Sequence, residues 1–351
     1  MYIIKNVCKV LCIVMKSIIC EKPGDLAFIE STRPTPKSGE VLLKIKCIGV
    51  CGTDIHAYGG NQPFFSYPRV LGHELAGEIV ALGEGVELPI GAAAFVIPYL
   101  ACGECVACKN HKPNCCTNIE VIGVHRDGGM CEYLTVPADH VVVSEGLPFE
   151  QLAIVECLAI GAHAVRRAQI TQNDTVLVLG AGPIGIGAAQ FAKVEGAKTF
   201  IADVNEARLD YCSQEFDFDA QIDCKGDVKK HLGALTQEEF PTVIIDATGN
   251  PRAMESTFEW LANGGRIVFV SVVKADISFH DPEFHKRETT LLGSRNATKE
   301  DFEHVVQCMR DNLVKSASLI THKAKFDTVV DVFPEWIKPE NKVVKAVIEV
   351  D

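Results

Sequence analysis

Five of the chain's fifteen cysteines lie within the short stretch "CGECVACKNHKPNCC". Four of them, Cys102, Cys105, Cys108 and Cys116, have the spacing Cys-x2-Cys-x2-Cys-x7-Cys. Thiolates this close along a loop can surround one tetrahedral zinc ion without help from distant chain, and four thiolates leave no position for water. The spacing therefore predicts a structural zinc site, with an iron–sulfur cluster as the alternative that a three-cysteine run also fits.

A second group of potential metal ligands lies upstream, in "GVCGTDIHAYGG" and "VLGHELAGEIV". Cys51, His73 and Glu74 differ in type, and mixed ligation by fewer than four strong ligands is typical of a catalytic zinc with an open position. Glu156, in "VECLA", is a candidate fourth group. Taken singly, Cys51 fits a buried thiol and His73 a core histidine, so the prediction depends on the group as a whole.

A glycine motif follows an apolar strand pattern in "VLVLGAGPIGIGAAQFAK". Gly180, Gly182 and Gly185 have the GxGxxG spacing, which permits a tight turn, close approach of a pyrophosphate and packing of helix on strand. Pro183 and Ile184 would open the helix, whose positive end favours phosphate. Alone the motif is weak, because a glycine-rich turn without a ligand has the same spacing.

The strand after that helix ends at Asp203, eighteen residues beyond Gly185. A carboxylate at this place can accept hydrogen bonds from the adenosine ribose and repels a 2′-phosphate. NAD is therefore favoured over NADP, although Arg208 could still accommodate a phosphate.

Two different sequence patterns along the chain indicate the two structural units that position these groups. Residues 15–150 read as short β-rich runs broken by Gly and Pro, which predicts a mostly antiparallel β unit. After the helical pattern "EQLAIVECLAIGAHAVRRA", strands such as "DTVLVLG", "KTFIAD" and "TVIIDATG" alternate with helices, which predicts a parallel, doubly wound sheet. The last strand, "KVVKAVIEV", is predicted to return to the first unit.

Composition narrows the function classes. A chain of 351 residues with 47% hydrophobic residues can bury a sizeable core, and two domains sharing a cleft are expected. The net charge of −12 disfavours nucleic acid and anionic membranes as partners. An odd cysteine count without a credible secretion signal favours the cytoplasm. The apolar residues 1–14 read as an N-terminal extension rather than a signal peptide or a membrane span.

"CGTDIH", "GHELAGEIV", the four-cysteine stretch and "GAGPIGIGAAQFAK", in this order, resemble the zinc-dependent medium-chain dehydrogenase/reductase family from Met15 to Asp351. Within it, "GGNQPFFSYPRVLGHE" and "DPEFHKRETTLLGSRNAT" are most similar to the bacterial polyol and sugar-acid branch. The resemblance implies a Rossmann NAD-binding domain inserted into a GroES-like catalytic domain. The implied ranges are 1–14 for the extension, 15–160 for the GroES-like domain with a zinc lobe at 98–117, 161–297 for the Rossmann domain and 298–351 for the return.

The resemblance also implies roles for individual residues. Cys51 and His73 become ligands of a catalytic zinc, Glu74 a ligand or nearby carboxylate, and Glu156 a further ligand or a group that holds the zinc water. Thr53 and His56 match a proton relay, and the four lobe cysteines hold a second, structural zinc. Residues implied to border the cofactor are Val270, Ser294, Arg295 and Asn296. In a departure from the family pattern, Cys157 replaces the proline that usually follows the position of Glu156.

The expected activity is transfer of a hydride to NAD from a secondary hydroxyl of an L-galactonate-like sugar acid or polyol. Activity on another secondary alcohol, of the threonine or sorbitol type, is the nearest alternative. A carbonyl or enone reductase and a noncatalytic zinc-containing binding protein are the others. The expected partners are a small-molecule substrate and further copies of the chain, as a homodimer or homotetramer. A sugar-acid carboxylate would need a cation, for which the candidates are Arg69, His125, Arg126 and Arg295.

Overall fold

The computed structural model describes residues 14–62 and 65–351, which form two sheet-based domains joined by a helical layer. The extension expected at residues 1–14 lies outside the described residues except for Val14. That residue starts the first strand and pairs with Thr32, so the strand begins one position inside the expected extension. The other domain boundaries stay a prediction.

Both chain ends build the first domain, as the resemblance implied. Its main sheet has seven strands in the order β10-β6-β5-β3-β18-β17, with β9 also paired to β3, and only β17 and β18 run parallel. The strands of this domain are β1 (Val14–Lys22), β2 (Asp25–Thr32), β3 (Glu40–Val50), β4 (Arg69–Val70), β5 (Glu74–Leu82), β6 (Ala93–Val96), β7 (Tyr99–Leu100), β8 (Glu120–Val121), β9 (Tyr133–Pro137), β10 (Val141–Val143), β17 (Ile320–Lys325) and β18 (Lys345–Glu349).

The second domain contains a six-stranded parallel sheet in the order β13-β12-β11-β14-β15-β16. Counted along the chain this is the order 3-2-1-4-5-6 of a Rossmann fold, whose direction reverses between β11 and β14. The expected fold class, a Rossmann sheet with a GroES-like antiparallel domain, is confirmed. The six strands are β11 (Thr175–Leu179), β12 (Lys198–Asp203), β13 (Ala220–Asp223), β14 (Val243–Asp246), β15 (Arg266–Phe269) and β16 (Thr290–Gly293).

Eleven α-helices lie in the described part of the chain, and none of them is long and apolar enough to cross a membrane. They are α1 (Gly52–Tyr58), α2 (Val106–Lys109), α3 (Phe149–Ala153), α4 (Val155–Ala168), α5 (Pro183–Val194), α6 (Glu206–Glu215), α7 (Val228–Thr236), α8 (Pro251–Trp260), α9 (Asp281–Lys286), α10 (Lys299–Arg310) and α11 (Val329–Trp336).

The helical pattern expected to join the domains forms two helices, α3 and α4, with a break at Ile154. Helix α4 packs closely on α5. A Cβ on Gly161 would lie 2.6 Å from the backbone nitrogen of Ala188, so only glycine permits this approach. Glu156 is the second residue of α4, and α5 begins within the glycine motif. The contact between the helices therefore fixes Glu156 and the glycine motif relative to each other.

Candidate active site

Cys51, His73 and Glu74 come together in the first domain, with one potential ligand atom of each lying within 4.8 Å of the others. Cys51 follows β3 and caps α1, whereas Glu74 is the first residue of β5 and His73 precedes that strand. Neighbouring side chains in a regular strand point to opposite faces. Since His73 lies before the strand, both neighbours can face one point.

Asp54 holds Cys51 and Gly72, the residue before His73, a role that was not predicted from the sequence. Its carboxylate accepts hydrogen bonds from the backbone N–H of Cys51 at 2.9 Å and of Gly72 at 3.1 Å. It is 1% exposed and lies 3.9 Å from His73 Nδ1. An acidic residue three positions after a helix cap was the available local signal.

Two buried polar atoms in the group have no hydrogen-bond partner among the described residues. They are His73 Nδ1 and Glu74 Oε2. Buried polar atoms in folded proteins are nearly always paired, so unpaired atoms beside a thiol fit the ligand set of a cation. Although burial opposes it, the pKa of His73 is raised well above its ordinary value by Cys51, Asp54 and Glu156. This negative environment and the donor set both fit Zn²⁺.

The other oxygen of Glu74 forms an ion pair with Lys345 on β18. Glycine at position 49, opposite Glu74 across the strand pair, makes room, because a Cβ there would lie 2.0 Å from Glu74 Oε2. Burial opposes protonation of Lys345, but Cys157, Glu74 and Cys51 raise its pKa above the ordinary value, so it stays charged. Nothing near either residue in the sequence indicates this pairing.

Glu156 lies beside the three-residue group rather than within it. Its carboxylate accepts a hydrogen bond from the buried hydroxyl of Tyr99, another residue that the sequence analysis did not identify. Burial and the neighbouring Glu156 raise the pKa of Tyr99 well above its ordinary value, so the hydroxyl remains a donor. Cys157, in place of the family's proline, is 1% exposed, and α4 still begins at Val155. Ligation by Glu156 stays a prediction.

Thr53 and His56 lie three positions apart in α1, the helix capped by Cys51. Residues at this spacing are neighbours on one helix face. Thr53 is half-buried and His56 is exposed, which gives the order from interior to solvent that a proton relay requires. Their role as a relay stays a prediction.

The glycine loop, residues 180–185, lies where the direction of strand order reverses. Gly180 has a φ of +97°, and a Cβ there would lie 2.9 Å from the carbonyl oxygen of Ala247, after β14. A Cβ on Gly185 would lie 1.8 Å from the Gly180 carbonyl oxygen, whereas a Cβ on Gly182 would have no described atom of another part of the chain within 4 Å. The first and third glycines thus close the turn, and the second leaves space for phosphate. Pro183 and Ile184 form the first turn of α5, as expected.

Asp203 ends β12 and is 8% exposed. Its carboxylate accepts hydrogen bonds from the backbone N–H of Ala181 at 2.7 Å and of Asn205 at 2.8 Å. Arg208 Nη1 lies 3.9 Å away. Asp203 therefore holds the glycine loop, in addition to any contact with a ribose, and this support was not expected from the sequence.

The segment 294–296, here called the cofactor segment, continues from the carboxyl end of β16. Ligands of open α/β sheets bind outside the carboxyl ends of the strands. Ser294 is 9% exposed and its Oγ has no partner among the described residues, while Arg295 is exposed and Asn296 has a φ of +52°. Val270 follows β15 at the same edge. The structure thus gathers the predicted cofactor residues at one edge of the sheet.

The cysteine lobe, residues 98–117, gathers Cys102, Cys105, Cys108 and Cys116 so that their sulfur atoms lie within 4.8 Å of one another. The Cys105 and Cys108 sulfurs are 3.5 Å apart, and those of Cys116 and Cys102 are 3.4 Å apart. Backbone N–H groups of Cys108 and Thr117 lower the pKa of Cys105 to about 5. Burial and the neighbouring thiols raise the pKa of Cys108 to about 12. A bound dication would favour the thiolate form of Cys108 and so offset this rise.

Comparison with known proteins assigns these features to two family models. The model described as "Alcohol dehydrogenase GroES-like domain" matches residues 37–146, which include the Cys51 group and the cysteine lobe. The model described as "Zinc-binding dehydrogenase" matches residues 183–311, which include most of the Rossmann sheet.

Individual relatives match over nearly the whole chain. An L-galactonate-5-dehydrogenase of Escherichia coli K12 is 45% identical over 345 residues, which are 95% of this chain and 98% of the relative. The starvation-sensing protein RspB of the same strain is 39% identical, with 90% and 94% covered. A crystal structure described as a short chain alcohol dehydrogenase (rspB) from E. coli CFT073, complexed with NADH, superposes with a TM-score of 0.89 at 35% identity and covers 96% of this chain and 99% of that one.

Proposed function

This chain belongs to the zinc-binding dehydrogenase family with a GroES-like domain, and we propose that it oxidises a secondary hydroxyl of an L-galactonate-like sugar acid with NAD. The observation that carries the proposal is a pair of buried atoms beside Cys51, His73 Nδ1 and Glu74 Oε2, which have no partner among the residues that the structure describes. They fit a catalytic cation. Helix α4, which carries Glu156, packs against α5, the helix of the glycine loop.

The chemistry divides between bound groups and side chains. Zinc bound at Cys51, His73 and Glu74 supplies a Lewis acid that lowers the pKa of a substrate hydroxyl, and bound NAD supplies the hydride acceptor. Asp54 holds Cys51 in place through its backbone N–H. Glu156, fixed by Tyr99, would orient the reacting hydroxyl.

A proton must leave the site during oxidation, and α1 offers a route. Thr53, half-buried, would accept the proton first and pass it toward His56 in solvent. Histidine is a common proton shuttle, and an exposed imidazole can exchange its proton with water directly. Oxidation of the alcohol would therefore be coupled to proton release along one helix face.

A sugar acid needs a cation for its carboxylate, and among the four candidates Arg295 is the best placed. Arg69 is paired with Asp127 at 3.3 Å, and Arg126 with Glu120 at 3.8 Å. Arg295 has no ion-pair partner in the described part of the chain, and it is an exposed residue of the cofactor segment.

The pKa of His125 supports a positive potential here. Partial burial lowers that pKa, and Arg295 and Arg69 lower it further. We propose that Arg295 binds the substrate carboxylate and so makes the enzyme prefer a sugar acid over a neutral polyol. The name of the 45% identical relative points to the same substrate class.

Initial rates with aldonates, polyols and threonine, each with NAD and with NADP, test the proposal. L-Galactonate with NAD should give the highest kcat/KM. The variant Arg295→Met should raise KM for the aldonate while leaving KM for a neutral polyol unchanged. Equal rates with polyol and aldonate would instead favour the sorbitol type of activity, and threonine as the best substrate would favour the threonine type.

The compartment and the assembly are further parts of the proposal. Cys20, Cys47 and Cys131 are each buried separately in the hydrophobic core, an arrangement typical of reduced cytosolic proteins. The outer edge of β16 is largely exposed, with Leu291 40% exposed, which suits a homodimer or a homotetramer. Light scattering of the purified enzyme would measure the assembly.

A further inference from the structure

We infer that Asn114 is a positioning residue that makes NAD affinity depend on the metal-loaded cysteine lobe. The inference rests on the proposed function in one respect, that the chain binds NAD at the Rossmann sheet. Asn114 lies between Cys108 and Cys116 in the lobe and is 5% exposed. Its contacts join the lobe to the cofactor segment of the other domain.

Three hydrogen bonds converge on this residue. Asn114 Nδ2 donates to the carbonyl oxygen of Arg295 at 2.9 Å and lies 3.3 Å from His163 Nε2. Asn296 Nδ2 donates to the carbonyl oxygen of Asn114 at 3.1 Å. An amide nitrogen carries two hydrogens, so Asn114 can serve both of its acceptors at once.

The third bond, from Asn296, acts on a part of the cofactor segment with left-handed backbone conformation. Asn296 has a φ of +52°, a conformation in which residues other than glycine are uncommon. Its side-chain bond to Asn114 helps to hold that conformation. Ser294, two residues earlier, presents a buried Oγ without a partner in the described residues. The lobe thereby fixes the backbone of the segment that carries the predicted cofactor residues.

Asn114 is itself held by a contact with helix α4. His163 on α4 is 4% exposed, and its Nδ1 lies 2.8 Å from the Asp301 carboxylate, which Arg166 also contacts at 2.7 Å. Donation by Nδ1–H to Asp301 leaves Nε2 as the acceptor for Asn114. The chain of contacts from Asp301 to Arg295 thus has a donor and an acceptor at every step.

Because the Asn114 position depends on the flanking lobe cysteines, metal in the lobe and cofactor in the cleft should stabilise each other. Such coupling is reciprocal by linkage. The four-cysteine site would then contribute to cofactor affinity without touching the cofactor. This goes beyond a role in folding alone, which would leave the affinity of the folded enzyme unchanged.

The test compares NADH dissociation constants of the whole enzyme, measured by NADH fluorescence, for the wild type, Asn114→Leu and Asn114→Asp. Loss of the buried donor should raise Kd about tenfold. KM for NAD should rise in parallel, while the zinc content stays at the wild-type value. The aspartate variant keeps the size and polarity of the side chain and serves if the leucine variant does not fold.

Asn110→Leu is the matched control, because Asn110 lies in the same lobe and is exposed, and its side chain bonds only to Val106 O, at 2.8 Å, among the described residues. Its Kd should equal that of the wild type. Wild-type affinity in a folded Asn114 variant would overturn the inference, as would an equal loss in the control. Failure of the wild-type enzyme itself to bind NADH would instead refute the proposed function.

Discussion

Lys345 and Glu74 form a buried ion pair across 271 positions of sequence, with exposures of 2% and 0%. The pair joins the last strand of the chain to the strand that carries the metal group. Removing one partner of a buried pair leaves an uncompensated charge, which costs about 3–5 kcal/mol. Lys345→Met should therefore lower the free energy of unfolding by that amount, as measured in urea.

Lys323→Met provides the control for this prediction. Lys323 lies on the neighbouring strand β17 and pairs with Glu150, but both side chains are partly exposed, at 44% and 31%. Exposed pairs contribute at most about 1 kcal/mol. Equal losses of unfolding free energy from the two substitutions would mean that the buried pair contributes no more stability than the exposed one.

The cysteine lobe should contribute stability, and each of its four clustered thiols should be needed. Cys105→Ser is expected to remove the lobe metal and lower Tm by about 5 °C or more, because metal binding there is part of the folding free energy. Cys115→Ser alters the exposed neighbour of Cys116, which is outside the cluster, and should change neither Tm nor zinc content. Calorimetry with metal analysis distinguishes the two, and a stable, zinc-replete Cys105→Ser would contradict the assignment.

Cofactor choice should depend on Asp203. Asp203→Asn removes the charge that repels a 2′-phosphate while keeping an acceptor for the Ala181 N–H. Arg208, 3.9 Å away and 39% exposed, would then be free to bind that phosphate. The ratio of kcat/KM for NADP to that for NAD should rise about tenfold or more, equivalent to about 1.4 kcal/mol. Adding Arg208→Ala should reverse the gain, and an unchanged ratio in the single variant would remove this role.

Asp246, at the end of β14, gives a prediction for pH dependence. Burial raises its pKa from 3.8 to about 6, and hydrogen bonds from Thr248 only partly oppose the change. Because the pKa of Asp246 is higher in the folded protein, folding favours the protonated carboxyl group. Its contribution to stability is complete below the pKa of the unfolded chain and is lost as pH rises through about 6. The loss amounts to about 3 kcal/mol at most. Asp246→Asn should therefore raise Tm more at pH 8 than at pH 4, and a gain that is equal at both values would contradict the prediction.

Local patterns predicted the parts of the site that depend on local chemistry. The glycine loop and the four cysteines are each complete within one short segment, so spacing alone indicated them. Thr53 and His56 could be placed on one helix in the same way. The sequence did not resolve how His73 and Glu74 could both face one metal, because the answer depends on where β5 begins.

Residues that act through distant partners had no local signal. Lys345 reads as one polar residue in a strand, and its pairing with Glu74 requires the last strand to return beside β3. In the sequence, Gly49 is simply a glycine in an apolar strand. Only the structure shows that the Glu74 carboxylate occupies the space that a Cβ at this position would need. Tyr99 and Asn114 likewise have their roles only once the domains are packed together. These contacts follow from tertiary packing, which periodicity does not encode.

Zinc content measured together with turnover, on the wild type and on Cys51→Ser, tests the catalytic-metal assignment most directly. Two zinc ions per chain are expected in freshly isolated active enzyme and one in the variant. The variant should still bind NADH but lose turnover by at least about a hundredfold, since even residues outside the metal ligands commonly cost 10–100-fold. Undiminished turnover by a folded Cys51→Ser enzyme, or active wild type with no metal beyond the lobe ion, would contradict the account.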